Sequence, residues 1–574
     1  MMVRRQIFHT LSQYIMALWI LVATLFVACS AHAEFSASEL QLLAYEFFSW
    51  RASQQPSTHD DVNRVQRPDG WTPDWSPQAL QHYDARWREF LDRLSKLDRT
   101  GWTVADSVDF LLLRSAILRV DHERNVVRSP QRDPDFYVQQ TLGSVYELIL
   151  EPPPFLEERA RNLVIRLESI PATLQHARSN LIECVAPFAS NTIATLAQIE
   201  SQLATFSQEL RLLLPEAIRP RFVDAVQKAS DELVKYREWL RASLPRTTTT
   251  FAIGKQAYDR YLKRVALMPY TSDEILQMGR WEWERAVAFE QFEALRNKGL
   301  AQPPLFATVD EQIAQQTRNE ERIRMFLVEK EILDVPKWMG RYRNVRMPAF
   351  LAPLRWLGVA DDLTSIGRIG HDASKYILDP SPTLPFFALS MAIDPRPIIV
   401  HEGIPGHFFQ LVLSGSNPRI TRRYYIDSGP IEGIGFYAEE MMLQHGLFDD
   451  RPRTREIIYR FMRLRALRVE VDVKLARGEF TISDAARYLA QRVPMDEATA
   501  QEEAAWFAAG PGQAITYQIG KMQIIKLIAD AQTTLGERFD LRALHNYVWR
   551  NGNVPIALLR WEYLGLRDEI STLF

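Results

Sequence analysis

Apolar residues recur every three or four positions along most of the chain, which is the spacing that one face of an α-helix produces. The clearest stripes, within residues 135–245 and 454–477, consist of Ile199, Leu203, Phe206, Leu210 and Leu213, and of Phe461, Leu464, Leu467, Val471 and Leu475. Thr271 and Glu274 form a capping box at the start of a further helix that ends near Asn297. This pattern predicts a mainly α protein with a large multi-helix fold.

Three segments interrupt the helical pattern. Val345–Leu351 and Pro385–Ile393 are apolar and carry proline inside or at their borders, which is typical of short strands or extended segments. Gln54–Pro77 is polar and lacks periodicity, so we predict a surface loop there. The fold is therefore expected to contain a few short β-strands among its helices. An extended linker buried beneath the helices is the alternative for Pro385–Ile393.

The N-terminus has the features of a secretory signal peptide, predicted to span residues 1–33. Arg4 and Arg5 precede an apolar run, and Ala31-His32-Ala33 provides a cleavage site with small residues at the required positions. The apolar run is too short for a comfortable membrane span. We therefore expect an exported protein, periplasmic or secreted, without a stable membrane span. Lipoprotein processing at Cys29 is the alternative.

The mature chain is predicted to contain two helical regions, residues 34–250 and 251–574. The division follows Thr247–Thr250, a run of threonines that is typical of a turn or short linker. We expect the two regions to form one continuous unit around a central cleft.

Charge and cysteine content exclude several functions. The formal charge of the whole chain is −3, and it becomes −5 when Arg4 and Arg5 are removed with the signal peptide, so the chain offers no basic surface for nucleic acid. Hydrophobic residues make up 47% of the chain, which is enough for a large core. Cys184 would be the only cysteine left after cleavage, so no internal disulfide is possible. Its apolar neighbours favour a buried structural thiol over a reactive one.

The strongest candidate for chemistry is the heptapeptide His401-Glu402-Gly403-Ile404-Pro405-Gly406-His407. Zinc hydrolases use imidazoles and a carboxylate as metal ligands, and a second carboxylate as a base. Six positions turn about 600° around a helix, so a regular helix would point the two imidazoles about 120° apart. Pro405 and Gly406 favour a break in the helix that brings His407 back toward His401. The alternative is two unrelated histidines near a loop.

Two carboxylates downstream complete the candidate site. Glu432 begins a predicted helix after the turn Asp427–Pro430, and Glu439 lies seven positions further on, about 20° around the axis and thus on the same face. One of them can bind a metal while the other orients a ligand imidazole. A carboxylate that only favours a helix N-terminus is the alternative for Glu432. That alternative leaves Glu439 unexplained.

These motifs resemble those of the bacterial "domain of unknown function 885" family. The matching segments cover most of the mature chain: Ser169–Pro171, Ala177–Leu181, Gly254–Tyr258, Pro397–His407, Glu432–Gly433, Tyr437–Glu439, Pro511–Ala514, Tyr517–Gly520 and His545–Pro555. Ile434 and Gly435 depart from the family, which more often has Trp and Ala there. The order of the motifs is similar to that in helical zinc peptidases of the thimet-oligopeptidase type. Those enzymes place a ligand Glu about 25 residues after the second His, and Glu432 follows His407 by 25 positions.

The resemblance implies a zinc peptidase with one Zn²⁺ per chain. The implied metal ligands are His401, His407 and Glu432. Glu402 would act as general base and then as proton donor to the leaving amine. Tyr517 would donate to the oxyanion that develops on the cleaved carbonyl, although a half-buried helix tyrosine without a catalytic role is the alternative.

We therefore predict a secreted zinc hydrolase that acts on peptide bonds. The alternatives are a binding or scaffold protein that keeps the motif for structure, and a zinc hydrolase of non-peptide amides or esters. Arg463, Arg465 and Arg468 on a predicted helix could bind a peptide carboxylate. For at least two of the three we expect local salt bridges on a solvated face instead.

Overall fold

The computed structural model describes residues 36–54, 67–358 and 369–573, and most of them are helical. The mainly α prediction is confirmed. The helices that precede the first strand are α1 (residues 36–54), α2 (Pro77–Ser95), α3 (Val104–His122), α4 (Ser129–Arg132), α5 (Pro134–Val138), α6 (Ser144–Leu150), α7 (Glu157–Asn180), α8 (Ala186–Thr195), α9 (Ile199–Leu210), α10 (Arg219–Ser243), α11 (Lys255–Arg264), α12 (Ser272–Arg296) and α13 (Val309–Glu329).

Two strands and twelve further helices follow. They are β1 (Tyr342–Arg346), β2 (Ala373–Ile377), α14 (Phe386–Ile393), α15 (Arg396–Ile398), α16 (His407–Gly415), α17 (Ile420–Tyr424), α18 (Ser428–Gln444), α19 (Pro452–Arg477), α20 (Ile482–Arg492), α21 (Glu497–Ala509), α22 (Thr516–Leu535), α23 (Leu541–Arg550), α24 (Ile556–Leu564) and α25 (Asp568–Leu573). Short π- or 3₁₀-turns join or extend these helices at Glu123–Val127, Gln139–Gly143, Leu196–Gln198, Arg211–Leu213, Leu244–Arg246, Ala352–Leu357, Ile399–Gly403 and Gly536–Arg538.

β1 and β2 pair in parallel and make a two-stranded sheet, with Tyr342 opposite Ala373 and Arg346 opposite Ile377. β1 overlaps the start of the strand predicted at residues 345–351, whereas β2 was not predicted. The strand prediction for Pro385–Ile393 is wrong, because this segment forms α14 with Pro385 at its N-cap. A short apolar run fits a buried helix as well as a strand, and proline is favoured at a helix start.

The signal peptide prediction and Cys29 fall on residues outside the described ranges, as does half of the predicted loop Gln54–Pro77, whose described residues 67–76 form neither helix nor strand. Over the ranges described, none of the helices is both long and apolar enough to cross a membrane. Cys184 is buried as predicted, and burial raises the pKa of its thiol to about 12. Such a thiol is an inert part of the core.

The buried apolar residues form a few large clusters that pass between the two predicted regions. The largest cluster packs α1, α2 and α3 against the helices that follow residue 400. A second cluster holds α7, α9 and α10 together with Leu351 and Tyr376 from the segments around the small sheet. The third joins α19, α20 and α21. The division at residue 250 stays a prediction, and one core joins residues from both sides of it.

Close packing between α18 and α22 depends on two glycines. A Cβ atom on Gly520 would lie 2.5 Å from the carbonyl oxygen of Gly429 and 2.7 Å from Cα of Gly433. A Cβ atom on Gly433 would in turn meet Cα of Gly520 at 2.7 Å. The two backbones therefore touch at a point where side chains would hold them apart. This contact sets the distance between Glu432 on α18 and Tyr517 on α22.

A buried charge network fixes the same two helices to α12. The ammonium of Lys521 is fully buried and lies 2.8 Å from Glu440 and 3.0 Å from Glu282. Arg285 also contacts Glu440, at 2.8 Å. A buried ammonium is tolerated only when carboxylates compensate it, so α12, α18 and α22 are held in one arrangement. The predicted capping box of α12 is confirmed, with Thr271 and Glu274 bonded to each other's backbone.

Replacing Gly520 with Ala should lower the unfolding temperature. Overpacking typically costs roughly 1 to 3 kcal/mol, and backbone atoms crowd the new methyl group from two sides. The gain in helix propensity, about 1 kcal/mol, offsets only part of that cost. Thermal unfolding by circular dichroism measures the effect, with Gln532→Ala on the exposed face of α22 as the control. Equal unfolding temperatures for both variants and the wild type would show that the helices are not in close contact here.

Candidate metal centre

The heptapeptide from His401 to His407 is not one helix. The helix that begins at Arg396 ends in the π-turn Ile399–Gly403, and α16 begins at His407. Between them the backbone reverses so tightly that a Cβ atom on Gly406 would lie 1.7 Å from the carbonyl oxygen of His401. Glycine is therefore required at position 406. The predicted break at Pro405-Gly406 is confirmed, and it places the centroids of the two imidazole rings 4.6 Å apart.

Residues from the C-terminal segment support this reversal. The indole nitrogen of Trp549 on α23 donates a 2.6 Å hydrogen bond to the carbonyl of Pro405. His545, one turn earlier, donates from Nδ1 to the carbonyl of Ile332 at 2.9 Å, and its Nε2 accepts from the hydroxyl of Tyr437 on α18 at the same distance. The His545–Pro555 segment and the Tyr437–Glu439 motif are therefore in contact beside the heptapeptide.

Glu432 joins the two histidines from the second turn of α18, which begins at Ser428 rather than near residue 431. Its Oε2 lies 3.3 Å from Nε2 of His401 and 3.2 Å from Nε2 of His407. The three donor atoms all lie within 4.8 Å of one another. The structure therefore brings together the three residues that were predicted as metal ligands.

The geometry of these three atoms fits a zinc ion. Ligand atoms at about 2.0 to 2.2 Å from tetrahedral zinc lie about 3.3 to 3.6 Å from each other, close to the separations from Oε2 to the two imidazoles. Among the described residues, Oε2 makes no hydrogen bond of acceptable geometry, although it is buried. A buried carboxylate oxygen without a hydrogen bond calls for another partner. Two imidazoles and a carboxylate are also a set of ligands that zinc prefers.

Glu439 lies on the far side of His401, as the seven-residue spacing from Glu432 predicts. It is fully buried, and its Oε1 is 2.7 Å from Nδ1 of His401 and 2.9 Å from the guanidinium of Arg465. Burial alone would lower the pKa of His401, but Glu432 and Glu439 outweigh it and raise the pKa to about 9. The two carboxylates therefore make this position attractive to a cation, and a carboxylate at Nδ1 leaves Nε2 as the ligand atom.

Glu402 is half-buried and does not belong to the three-ligand group found among the described residues. Burial tends to raise the pKa of its carboxyl, but Lys375 on β2 and the two histidines hold that pKa below its usual value. Glu402 is therefore ionised at neutral pH. An ionised carboxylate next to a metal ligand, but not itself a ligand, can accept a proton.

Tyr517 lies beside His401, with its ring centroid 6.1 Å from the imidazole and the two planes 15° apart. It is the second residue of α22, so the predicted position one to two turns into the helix is wrong. Burial, followed by the charge of Glu432, raises the pKa of its phenol well above the usual value. Tyr517 therefore keeps its proton and can donate a hydrogen bond.

Asp472 on α19 holds the turn that leads to Tyr517, and the sequence analysis did not identify it. This fully buried carboxylate accepts 2.8 Å hydrogen bonds from the backbone N–H groups of Gly512 and Ala514, and a 3.0 Å bond from the hydroxyl of Tyr258. The Gly254–Tyr258 motif and the Pro511–Ala514 motif therefore meet at one side chain. A single Asp in a helical apolar stripe carries no signal of such distant partners.

Comparison with protein families shows that the chain belongs to the family described as "Bacterial protein of unknown function (DUF885)". The family model matches residues 58–331 and 393–562, which include every residue of the candidate centre. No curated protein matches the chain.

Solved structures show the same fold. One, described as "a putative lipoprotein of unknown function" from Shewanella oneidensis, superposes with a TM-score of 0.66 at 18% identity, over 93% of this chain and 99% of that one. Another, described as "the putative lipoprotein from Colwellia psychrerythraea", has a TM-score of 0.72 at 15% identity, over 94% of this chain and 99% of that one.

Replacing Glu439 with Gln should weaken zinc binding roughly ten- to hundredfold, the usual effect of removing a carboxylate that orients a ligand imidazole. The zinc dissociation constant can be measured by competition with a chelating dye. Glu440→Gln is a matched control, because Glu440 is also a buried, ion-paired carboxylate on α18 but faces Lys521 and Arg285. Glu440→Gln should lower thermal stability without changing zinc affinity. Equal zinc affinities for the two variants would contradict the role given to Glu439.

Proposed function

We propose that the chain is an exported zinc-dependent hydrolase that cleaves peptide bonds. The observation that carries this proposal is the convergence of His401, His407 and Glu432, with Glu402 beside them and outside the ligand set. The motif order, which is similar to that of thimet-oligopeptidase-type zinc peptidases, supports the same reaction class. Zinc in this position would polarise a carbonyl group and make water acidic enough to act as a nucleophile near neutral pH.

The residues around the ligands have the properties that hydrolysis requires. Glu402 is ionised and would take the proton from the attacking water, then pass it to the nitrogen of the leaving amine. Tyr517 is protonated and would donate to the carbonyl oxygen as negative charge develops there. Glu439 and Arg465 would hold the imidazole of His401 in place. Each of these roles uses a side chain that lies in or next to the candidate centre.

The small sheet gives a place for a peptide to lie. Tyr342 on β1 packs directly against Gly403, where an added Cβ atom would meet its ring at 2.7 Å, and Lys375 on β2 interacts with Glu402. The sheet therefore borders the π-turn that carries His401 and Glu402. A peptide in extended conformation could add to a strand edge through backbone hydrogen bonds, which would suit a substrate of variable sequence.

Export is part of the proposal. Residues 1–33 have the features of a signal peptide that would be cleaved after Ala33, and the structural neighbours from Shewanella and Colwellia are each described as a "putative lipoprotein", which makes lipid attachment at Cys29 the second route. Either route places the mature chain outside the cytoplasm. Peptides there would be the substrates.

Replacing Glu402 with Gln tests the proposed chemistry. This change preserves volume and removes the proton acceptor, so peptidase activity (kcat/KM) should fall roughly 10²- to 10⁴-fold while zinc content and unfolding temperature stay unchanged. Glu432→Gln is the control, because loss of a ligand should remove zinc and activity together. Activity is measured with fluorogenic peptides, alongside ester and non-peptide amide substrates.

Three outcomes would contradict the proposal in different ways. If Glu402→Gln loses zinc or unfolds, Glu402 is a ligand or a structural residue. If zinc-loaded wild type cleaves esters or simple amides but no peptide, the reaction class is right and the substrate class is wrong. If it cleaves nothing, the motif serves a structural or binding role.

A further inference from the structure

Arg463, Arg465 and Arg468 lie on α19, and in the first two both terminal nitrogens have partners. Arg463 donates to Glu290 at 2.6 Å and to the carbonyl of Arg492. Arg465 uses both terminal nitrogens on Glu439. The salt bridges expected for at least two of the three arginines are confirmed. The expectation of a solvated face is wrong for Arg465 and Arg468, because both side chains are buried.

Arg468 differs from the other two because its nitrogen without a partner in the described part of the chain is a terminal one and is not enclosed, whereas theirs is the enclosed Nε. Its Nε and Nη2 bind the two carboxylate oxygens of Glu503 on α21. Among the described residues, Nη1 has no hydrogen-bond or ion-pair partner. Some other side-chain nitrogens without a partner are completely shut off from solvent, but Nη1 is not. Nη1 therefore reaches solvent, although only 7% of the side chain is exposed.

The free nitrogen lies beside the proposed oxyanion donor. The guanidinium carbon of Arg468 is 4.7 Å from the ring centroid of Tyr517, 5.5 Å from that of Phe507 and 5.7 Å from that of Phe387. Tyr517 and Phe387 are half-buried, so this corner opens to solvent next to the half-buried Glu432, which interacts with both Arg468 and Tyr517. The aromatic rings and Glu503 fix the guanidinium, so binding a ligand would not carry the entropy cost of ordering this side chain.

We propose that Nη1 of Arg468 binds the C-terminal carboxylate of a peptide, so that the enzyme acts near the C-terminus of its substrates. The inference rests on the proposed peptidase function and specifies its substrate class. A guanidinium that binds one carboxylate along one edge can donate hydrogen bonds to a second carboxylate from another edge. Such charge-assisted hydrogen bonds are strong where water is largely excluded. Zinc held by His401, His407 and Glu432 would add positive charge to that of Lys375 beside Glu402, which would favour an anionic group over an ammonium.

The first test compares peptides that are identical except for a free or an amidated C-terminus, using zinc-loaded wild type. Amidation should lower kcat/KM roughly ten- to hundredfold, the range expected when one hydrogen bond to a charged group is lost. Mass spectrometry of the products should place the cut close to the C-terminus. If both peptides are cleaved equally well, or are cut mainly in their interior, the inference is wrong while the peptidase proposal stands. If neither is cleaved, the proposed function itself fails.

The second test assigns the effect to Arg468. The double substitution Arg468→Met with Glu503→Gln removes both partners of the buried pair, so that no unpaired charge is left inside. The ratio of kcat/KM for acid and amide should fall to near one, with zinc content retained. Arg463→Met with Glu290→Gln is the matched control on the same helix and should keep the wild-type ratio. If the Arg468 variant keeps that ratio, or the control loses it, another residue holds the carboxylate. Should the Arg468 variant fail to fold, Arg468→Lys, which moves the charge away from Nη1, should lower the ratio.

Discussion

His401 and His407 are six positions apart, and a continuous helix cannot direct both imidazoles at one ion. The backbone reversal before α16 removes this conflict. It needs a glycine at position 406, because the carbonyl of His401 occupies the space of any side chain there. Once the chain reverses, the two ring centroids lie 4.6 Å apart, and α18 has only to supply a carboxylate near both Nε2 atoms. Everything else in the candidate centre is arranged around that reversal.

The surrounding helices keep this arrangement in place by close contact and buried charge. Gly433 and Gly520 allow α18 and α22 to touch, which brings Tyr517 to the rings of the centre. Asp472 fixes the turn before Tyr517 through backbone N–H groups, and burial raises the pKa of its carboxyl to about 7. Lys521 joins three helices through two carboxylates. Close packing and buried charge therefore hold the side chains of the candidate centre in one arrangement.

Local sequence predicts the parts of this structure that depend on local physics. The break at Pro405-Gly406 follows from the covalent properties of those residues, and the seven-residue spacing of Glu432 and Glu439 places both carboxylates on one helix face. The capping box at Thr271 was equally clear. In each case the determining atoms lie within a few residues of each other.

Parts that depend on distant residues could not be predicted in this way. Asp472 gains its role from hydrogen bonds to Gly512, 40 positions later in the chain, and to Tyr258, 214 positions earlier. Phe386–Ile393 is almost entirely apolar. The positions of its apolar residues therefore show neither the two-residue period of a strand nor the 3.6-residue period of a helix. The sequence does not distinguish Arg463, Arg465 and Arg468 on α19. Their contacts in the structure show that Nη1 of Arg468 has no partner among the described residues.

Zinc stoichiometry is the most direct test of this account. Metal-free mature protein, titrated with zinc and followed by elemental analysis after dialysis, should retain one zinc per chain, and His407→Ala should retain almost none because two ligands hold the ion weakly. Both proteins should have the same helical content. If the wild type retains no zinc, or if His407→Ala retains one zinc per chain as firmly as the wild type, the assignment of His401, His407 and Glu432 as a metal centre is wrong.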